Sequence, residues 1–141
     1  MTVIESLKTY IATYTGLVSG KPLWVDYLGP TVTEYSISAL PGARIVETYL
    51  NGKTEREFPF AFSSTESTAD EAERLDNLGF YEAFAYWLET QTKAGTFPTM
   101  ETGKTPTKIE ALGWGYLFNP GESDTGIYQI QCKLTYDQIA P

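Results

Sequence analysis

Hydrophobic residues recur every three or four positions at the start of the chain, which predicts an amphipathic helix over Val3–Tyr14. Thr2 stands just before this segment and Glu5 follows three positions later, which is the spacing of a capping box at a helix start. Gly16 or Gly20 is expected to end the helix, because glycine readily adopts the left-handed conformation that follows many last helical turns.

Segments rich in β-forming residues and separated by turn residues follow this helix. They predict strands at 23–30, Thr33–Leu40, Arg44–Leu50 and Thr54–Ser63. Asn51 and Gly52 separate the last two strands, and this pair is the strongest short-range signal for a hairpin. From Phe58 to Phe62 every second residue is phenylalanine, so we expect three rings on one face of the sheet. Pro59 lacks an amide hydrogen, which predicts an edge strand or a bulge there.

A second, longer helix is predicted from Thr68 to Ala94, with Thr68 and Glu71 as its capping box. Its buried stripe is expected to consist of Ala72, Leu75, Phe80 or Tyr81, Phe84 and Leu88, broadened by Trp87. Gly79 lies inside this segment, where glycine is costly, and predicts a break or a close approach. Residues 96–107 are polar with two prolines, so we expect a mobile or functional loop.

Two further strands are predicted after this loop. The first runs from Ile109 to Phe118 and places Leu112, Trp114, Tyr116 and Phe118 on one face. Gly113 and Gly115 lie between these residues and would let a helix or another backbone approach closely. A turn at 119–121 and an acidic loop at 122–126 lead to a cleanly alternating strand from Ile127 to Tyr136.

The predicted order is therefore helix, four strands, helix, two strands. Hairpins dominate and no βαβ repeat is visible, which indicates an α+β fold. We expect a mostly antiparallel sheet of about six strands with two helices packed on one face. At 141 residues the chain has the usual size of one domain, so residues 1–141 are interpreted as a single domain.

Charge narrows the range of partners. The formal net charge is −8, and such a field repels phosphate backbones and anionic lipid heads. We therefore expect no specific nucleic-acid binding and no membrane association. No apolar run approaches the length of a membrane span, and the pattern of a secretory signal peptide is not visible. Cys132 is the sole cysteine, which excludes an internal disulfide and suits a small apolar core residue.

The residues that most enzymes use are scarce. The sequence contains no histidine, which removes the commonest general base and most zinc sites, and it has no phosphate-binding glycine loop. Asp26 and Glu47 are the carboxylates that could serve an acid–base enzyme, Asp26 because aromatic neighbours would partly bury it. The favoured interpretation is that the protein is not an enzyme and holds no cofactor or metal. A small-molecule-binding module, with its ligand between sheet and long helix, is the alternative.

Aromatic residues make up 14% of the chain, more than a minimal core needs, so some rings are expected at interfaces. Two helices cannot cover both faces of one sheet, and an exposed apolar row would need a neighbouring subunit to cover it. The predicted subunit or partner contacts are Trp24, Phe58, Phe60, Phe97, Met100 and Trp114.

The chain resembles the minor capsid proteins of phages and prophages of Gram-positive bacteria, a group similar in layout to tail-terminator and head–tail joining (neck) proteins. The resemblance covers nearly the whole chain and is carried by the N-terminal helix and by the segments LWVDYLG, RIVETYLNGKTEREFPFAFSST, NLGFYEAFAYWLE and EALGWGYLFNPGESDTGIYQIQCKLTYDQ. It rests on this layout and contains no short diagnostic motif.

The resemblance implies a structural part of the virion. Such proteins form a homo-oligomeric ring, commonly a hexamer, that caps the tail tube and joins it to the head connector. DNA passes through the ring without specific binding, which agrees with the acidic charge. The implied location is the virion, with assembly in the cytoplasm of the bacterial host, and the implied partners are other copies, tail-tube proteins and head-connector proteins.

Overall fold

The computed structural model describes residues 1–121 and 124–140, so positions 122 and 123 of the predicted acidic loop lie outside the described residues. Within these described residues, two helices and seven strands follow one another. They are α1 (Val3–Ile11), β1 (Leu23–Val25), β2 (Glu34–Ala39), β3 (Arg44–Thr48), β4 (Thr54–Ser67), α2 (Glu71–Ala94), β5 (Lys104–Ala111), β6 (Tyr116–Asn119) and β7 (Thr125–Gln138). The predicted α+β class is confirmed, whereas the predicted strand count and order are wrong in detail.

All seven strands belong to one sheet built around the pair β4–β7. These two strands are antiparallel and paired along their whole length, from Thr54 opposite Gln138 to Ser67 opposite Thr125. On the outer side of β4, β3 pairs with its first half and β2 with its second half. On the outer side of β7, β6 pairs with its first half and β5 with its second half. β1 adds to β2 in parallel, so the sheet is mixed rather than purely antiparallel.

Both helices pack on one face of this sheet, as predicted. The buried core combines Leu7, Tyr10 and Ile11 of α1, Tyr81, Phe84 and Leu88 of α2, and the sheet residues Tyr35, Ile37, Phe60, Phe62, Ile109, Tyr128, Ile130, Cys132, Leu134 and Tyr136. The predicted alternation of β7 is thereby confirmed on its core face. Cys132 is fully buried, and this burial raises the pKa of its thiol.

The one strongly buried polar group of α2 is satisfied within the core. The Tyr81 hydroxyl lies 2.6 Å from the Ser64 hydroxyl and donates to the carbonyl oxygen of Tyr128 at 3.2 Å. Burial holds the pKa of Tyr81 well above its usual value, so the phenol stays neutral. A hydrogen-bonded hydroxyl at this position fixes the helix against both central strands.

The first helix begins as the sequence predicts. The Thr2 side chain accepts a hydrogen bond from the Glu5 amide at 3.2 Å, and the Glu5 carboxylate accepts one from the Thr2 amide at 3.3 Å. The helix ends at Ile11 rather than Tyr14, because the next residues form tighter turns. Tyr14 still reaches the core and packs against Phe84 and Trp87.

The predicted cap of the second helix is wrong. Asp70, not Thr68, is the N-cap, and its carboxylate oxygen accepts a hydrogen bond from the Glu73 amide at 2.9 Å. Both residue types are good caps, so only the backbone conformation decides between them. Thr68 instead continues the pairing of β4 with β7, since its amide donates to the carbonyl oxygen of Asp124, the residue before β7.

Replacing Asp70 with alanine is therefore expected to lower the free energy of unfolding by about 1 kcal/mol, because the Glu73 amide loses its partner. Urea denaturation followed by circular dichroism measures the change. Thr68→Ala is the matched control and should change stability by less than about 0.5 kcal/mol. Equal losses in the two variants would contradict the assignment of the cap.

The first turns of α2 lie off the core. Leu75 was expected in the buried stripe but is 61% exposed, Ala72 is exposed too, and the fully buried positions begin at Tyr81. Gly79 neither breaks the helix nor meets a neighbour within 4 Å, so that prediction is also wrong. The predicted buried stripe of α2 is therefore correct only from Tyr81 onward, where the helix packs on the sheet.

Pro59 does not mark an edge, because β4 lies at the centre of the sheet. The Pro59 carbonyl oxygen accepts a hydrogen bond from the Leu40 amide, on the side of β4 where β2 ends and β3 begins. The nitrogen and the carbonyl of one strand residue point to the same side. The missing amide hydrogen therefore faces the gap between two flanking strands, where no ladder bond is lost.

The predicted strand 109–118 is in fact two strands, and the last third of the predicted loop 96–107 is strand. β5 begins at Lys104 within that loop, and residues 112–115 interrupt the ladder before β6. Gly115 explains the interruption, since a Cβ built on it would lie 2.2 Å from the Tyr81 Cβ. α2 thus approaches the backbone closely at Gly115 as expected, whereas Gly113 faces open space. Within the described residues, no helix is both long and apolar enough to cross a membrane.

Candidate interaction surfaces

The face of the sheet opposite the helices carries small and polar side chains. At its centre Ser63 donates a hydrogen bond to the Gln129 side chain at 3.0 Å, and Gln129 donates to the Tyr116 hydroxyl at 3.1 Å. No helix covers this face, because both helices pack on the other one. We call it the open face. The polar groups at its centre are thus hydrogen-bonded to one another.

One end of the open face is charged. Glu57 accepts a hydrogen bond from Arg44 Nε at 2.8 Å and forms an ion pair with Lys133. These cations, Lys133 first and Arg44 second, lower the pKa of Glu57. The cluster joins β3, β4 and β7. Because its pKa is lowered, the Glu57 carboxylate is poorly suited to act as a general base.

An apolar groove lies between α2 and β5. It has a volume of about 500 Å³, and its walls are formed by Ala85, Tyr86, Glu89, Thr92, Lys93 and the segment 108–114. The rings of Tyr86 and Trp114 meet edge to face at 6.1 Å, and Trp114 remains 63% exposed. Thr92 fixes the base of the groove, since its hydroxyl donates to the Ile109 carbonyl at 2.6 Å and accepts from the Ile109 amide at 3.1 Å.

Ion pairs line the rim of this groove. Lys93 pairs with Glu89 at 3.2 Å along the helix, and Lys108 pairs with Glu110 at 3.4 Å along the strand. The combination of an apolar floor and a charged rim is the usual anatomy of a protein interface. The groove therefore has the composition of a contact site.

A second apolar surface is the tip of the hairpin between β3 and β4. The tip comprises residues 49–53, and the Leu50 side chain is fully exposed, at 110% relative exposure. The turn itself is held by polar contacts, because the Asn51 side chain accepts a hydrogen bond from the Lys53 amide at 3.0 Å. Leu50 is thus a large apolar side chain that the hairpin does not use.

A third exposed set lies next to β1. Trp24 is 40% exposed, packs edge to face on Tyr27 at 5.6 Å, and donates its indole hydrogen to Glu34 at 3.0 Å. The ring is therefore held in one orientation by a neighbour and a hydrogen bond. An aromatic residue fixed in this way loses little freedom on meeting a partner.

The six predicted contact residues fall into three groups. Trp24 and Trp114 are exposed, as an interface role requires. Phe58, Phe97 and Met100 are half-buried and pack against the core. Phe60 is fully buried between β4 and the helices, so it is a core residue and the prediction of a surface contact there is wrong. Sequence reasoning missed Leu50 and Tyr86, although an apolar residue beside an Asn-Gly turn was a signal for the first.

The candidate carboxylates do not form a pair. Asp26 follows β1 and is exposed rather than partly buried, with φ at +54°, a left-handed conformation that aspartate tolerates. Glu47 is exposed on β3, where it lies opposite Glu55 of β4 in the strand register. The sheet register places Asp26 and Glu47 roughly 20 Å apart along the strands. Glycoside hydrolases need two carboxyl groups within about 10 Å, so these two cannot act together.

Glu66 is a more buried carboxylate, and its surroundings are those of a structural group. Burial raises its pKa, while hydrogen bonds from Ser64 and Thr33 partly oppose the shift. The Thr33 hydroxyl donates to the Glu66 carboxylate at 2.8 Å. Within residues 1–121 and 124–140, no three histidine, cysteine or acidic side chains are grouped in a way that could hold a metal ion.

No protein-family model matches this chain, and no curated protein is significantly similar to it in sequence.

Proposed function

We propose that this chain is a structural virion protein of a phage or prophage, a tail-terminator or head–tail joining subunit that forms a ring at the end of the tail tube. Six copies form the ring, and the protein is not an enzyme. The proposal starts from the resemblance of the quoted segments to minor capsid proteins. The observation that supports it is the pair of exposed apolar surfaces, the groove and the hairpin tip, on strands at opposite edges of the sheet.

Opposite placement matters because a ring needs two different surfaces on each subunit, one for each neighbour. β3 lies outside β4 and β5 lies outside β7, so the two edges are separated by the central pair. A symmetric dimer would instead need one surface that matches itself. Two unlike apolar surfaces on opposite sides of the central strand pair suit a head-to-tail contact, which forms a ring when the rotation between neighbours closes.

The net charge of −8 agrees with this role. A ring of acidic subunits repels the phosphates of DNA and lets the duplex pass without binding. Under the proposal the open face, the charged clusters and the acidic first turn of α2 need no ligand of their own.

Light scattering coupled to size-exclusion chromatography, with negative-stain imaging of the same fractions, tests the ring. We expect particles of six-fold symmetry from the purified protein at high concentration or from its co-expression with a phage tail-tube protein. A strictly monomeric protein under both conditions would overturn the proposal. Portal, tail-tube and tape-measure genes beside its own gene would support the assignment to a phage tail.

The second candidate function, a small-molecule-binding module, is favoured by the groove alone. Its volume of about 500 Å³ lies within the usual range for ligand sites. NMR spectra of the three tryptophan indole groups, recorded during titration with a library of apolar fragments, would test it. Saturable shifts of the Trp114 indole that Trp114→Ala removes would favour a ligand site. If no fragment in the library shifts the Trp114 indole signal, the groove would be assigned to a protein partner instead.

A further inference from the structure

The hairpin tip carries an apolar side chain that its own subunit does not bury. Leu50 stands at the end of the hairpin with its whole side chain in solvent. Tyr49 beside it is 38% exposed and orders the turn, since its carbonyl oxygen accepts a hydrogen bond from the Gly52 amide at 2.9 Å. Burying a leucine elsewhere gains free energy in proportion to its apolar area. The tip is therefore a projecting apolar plug on an ordered turn.

The groove is a matching apolar recess on the same molecule. Its lining includes the apolar residues Ala85, Tyr86, Ile109, Leu112 and Trp114. The volume of about 500 Å³ is several times that of one leucine side chain, so the recess can take the tip together with its flanking residues.

Main-chain pairing between the two edges is disfavoured. β3 has a register shift between Ile45 and Glu47, and β5 has another between Pro106 and Lys108. Bulges, charged side chains and proline are the devices that keep edge strands from adding to one another. A contact between these edges therefore has to be made by side chains, as a plug in a recess.

The register of the sheet orients the two surfaces. Arg44 of β3 lies opposite Glu57 of β4, Glu57 lies opposite Thr135 of β7, and Thr135 lies opposite Lys108 of β5. That row passes beside the groove. The hairpin tip lies beyond the last row of the sheet, where Thr48 is opposite Thr54, so it projects from one end of the sheet on the β3 side while the groove lies on the β5 side. One subunit cannot fill its own groove with its own tip, whereas a second copy placed beside it can.

Charge supports the same arrangement. Three carboxylates, Glu47, Glu55 and Asp137, lie near the tip, and Lys53 is paired with Asp137 at 3.4 Å. At the groove, the lysine of each rim pair is more exposed than its glutamate. The negative charge around the tip complements the accessible lysines at the rim of the groove. Charge complementarity of this kind orients two partners in a contact.

We propose that Leu50, at the hairpin tip of one copy, inserts into the groove between α2 and β5 of the next copy. The contact is head-to-tail, and its repetition generates a ring when the rotation between neighbours closes; that closure is taken from the proposed function, on which the inference to that extent rests. Trp114 and Tyr86 of the receiving copy enclose the leucine, and Lys93 and Lys108 face the carboxylates of the tip.

Cysteine crosslinking tests the contact directly. Leu50→Cys and Trp114→Cys are made singly and together in the full chain and treated with a short bismaleimide. The natural Cys132 is buried and so is protected from the reagent. We expect a ladder of crosslinked species from the double variant and no ladder from either single variant. An equal mixture of the two single variants should give crosslinked dimers and nothing larger.

The outcomes separate the contact from the function. A ladder with closed rings supports both, and a ladder without closed rings supports the contact and overturns the ring function. Rings whose double variant gives no ladder would overturn the contact and leave the ring function standing. Neither rings nor a ladder would overturn both.

A charge at the tip gives an independent readout. Leu50→Glu should raise the concentration needed for assembly by about tenfold or more, because the plug becomes a desolvated carboxylate. Leu75→Glu is the matched control, since Leu75 is an exposed leucine outside both surfaces, and it should assemble like the natural protein. An equal effect of both substitutions would count against the hairpin contact. Circular dichroism verifies that each variant is folded.

Discussion

Phe62→Ala will lower the free energy of unfolding by about 3–5 kcal/mol, which is the usual cost of removing a fully buried phenylalanine ring. Phe62 is the hub of the aromatic core. Its ring centroid lies 4.6 Å from that of Phe84, 5.7 Å from that of Tyr35 and 5.9 Å from that of Tyr81. The substitution therefore removes contacts to β2 and to α2 together and leaves a cavity that no single neighbour can fill.

Urea denaturation monitored by tryptophan fluorescence measures this loss. Phe118→Ala is the matched control, because the same ring is removed from an exposed position on β6. We expect the control to change stability by less than about 1 kcal/mol. Similar losses at the two positions would show that the core is not centred where β4 meets α2.

Gly115→Ala is expected to destabilise the fold by about 1–3 kcal/mol, the usual range for overpacking. The added Cβ would lie 2.2 Å from the Tyr81 Cβ, an atom next to the helix backbone that no rotamer change can move. Relief requires α2 to shift away from the sheet. Such a shift would also stretch the 2.6 Å hydrogen bond between Tyr81 and Ser64.

Gly113→Ala is the matched control two residues away, since a Cβ there meets nothing within 4 Å. Neither glycine has a positive φ, so backbone strain does not separate the two variants. Thermal unfolding of both proteins should show a clear loss for Gly115→Ala and little change for Gly113→Ala. The reverse order would contradict the helix approach described here.

Local signals in the sequence predict the elements whose partners are near in the chain. The Thr2–Glu5 cap and the Asn51-Gly52 hairpin depend on residues within one turn of each other, and both are confirmed. The alternation of β7 also gives its buried face correctly, because each side chain simply alternates. These features need no knowledge of the tertiary fold.

The features that the sequence does not predict depend on distant neighbours. β5 begins in a polar, proline-containing segment, and only the backbone of β7 makes it a strand. The parallel pairing of β1 with β2 is likewise absent from any local pattern. Pro59 illustrates the same limit, since its tolerance depends on a gap between two other strands.

The predicted contact residues show the same contrast between features set by local sequence and features set by distant neighbours. A surplus of rings correctly indicates that Trp24 and Trp114 are exposed, because a sheet with two helices leaves some aromatic area uncovered. Phe60 was misplaced because its position at the middle of the sheet depends on β7, which is remote in sequence. The groove has no local signature, since α2 and β5 build it only after they pack together.

The full-length pairing of β4 with β7 also determines when this protein can fold. Each flanking strand pairs with one of these two, yet the pair itself joins segments separated by α2, β5 and β6. Closing so long a connection costs chain entropy before any contact repays it, so folding is expected to be slow. On the ribosome, β4 must remain without its central partner until β7 emerges. During this interval the apolar side chains and the unpaired edge of β4 remain without β7, which is the condition that favours aggregation.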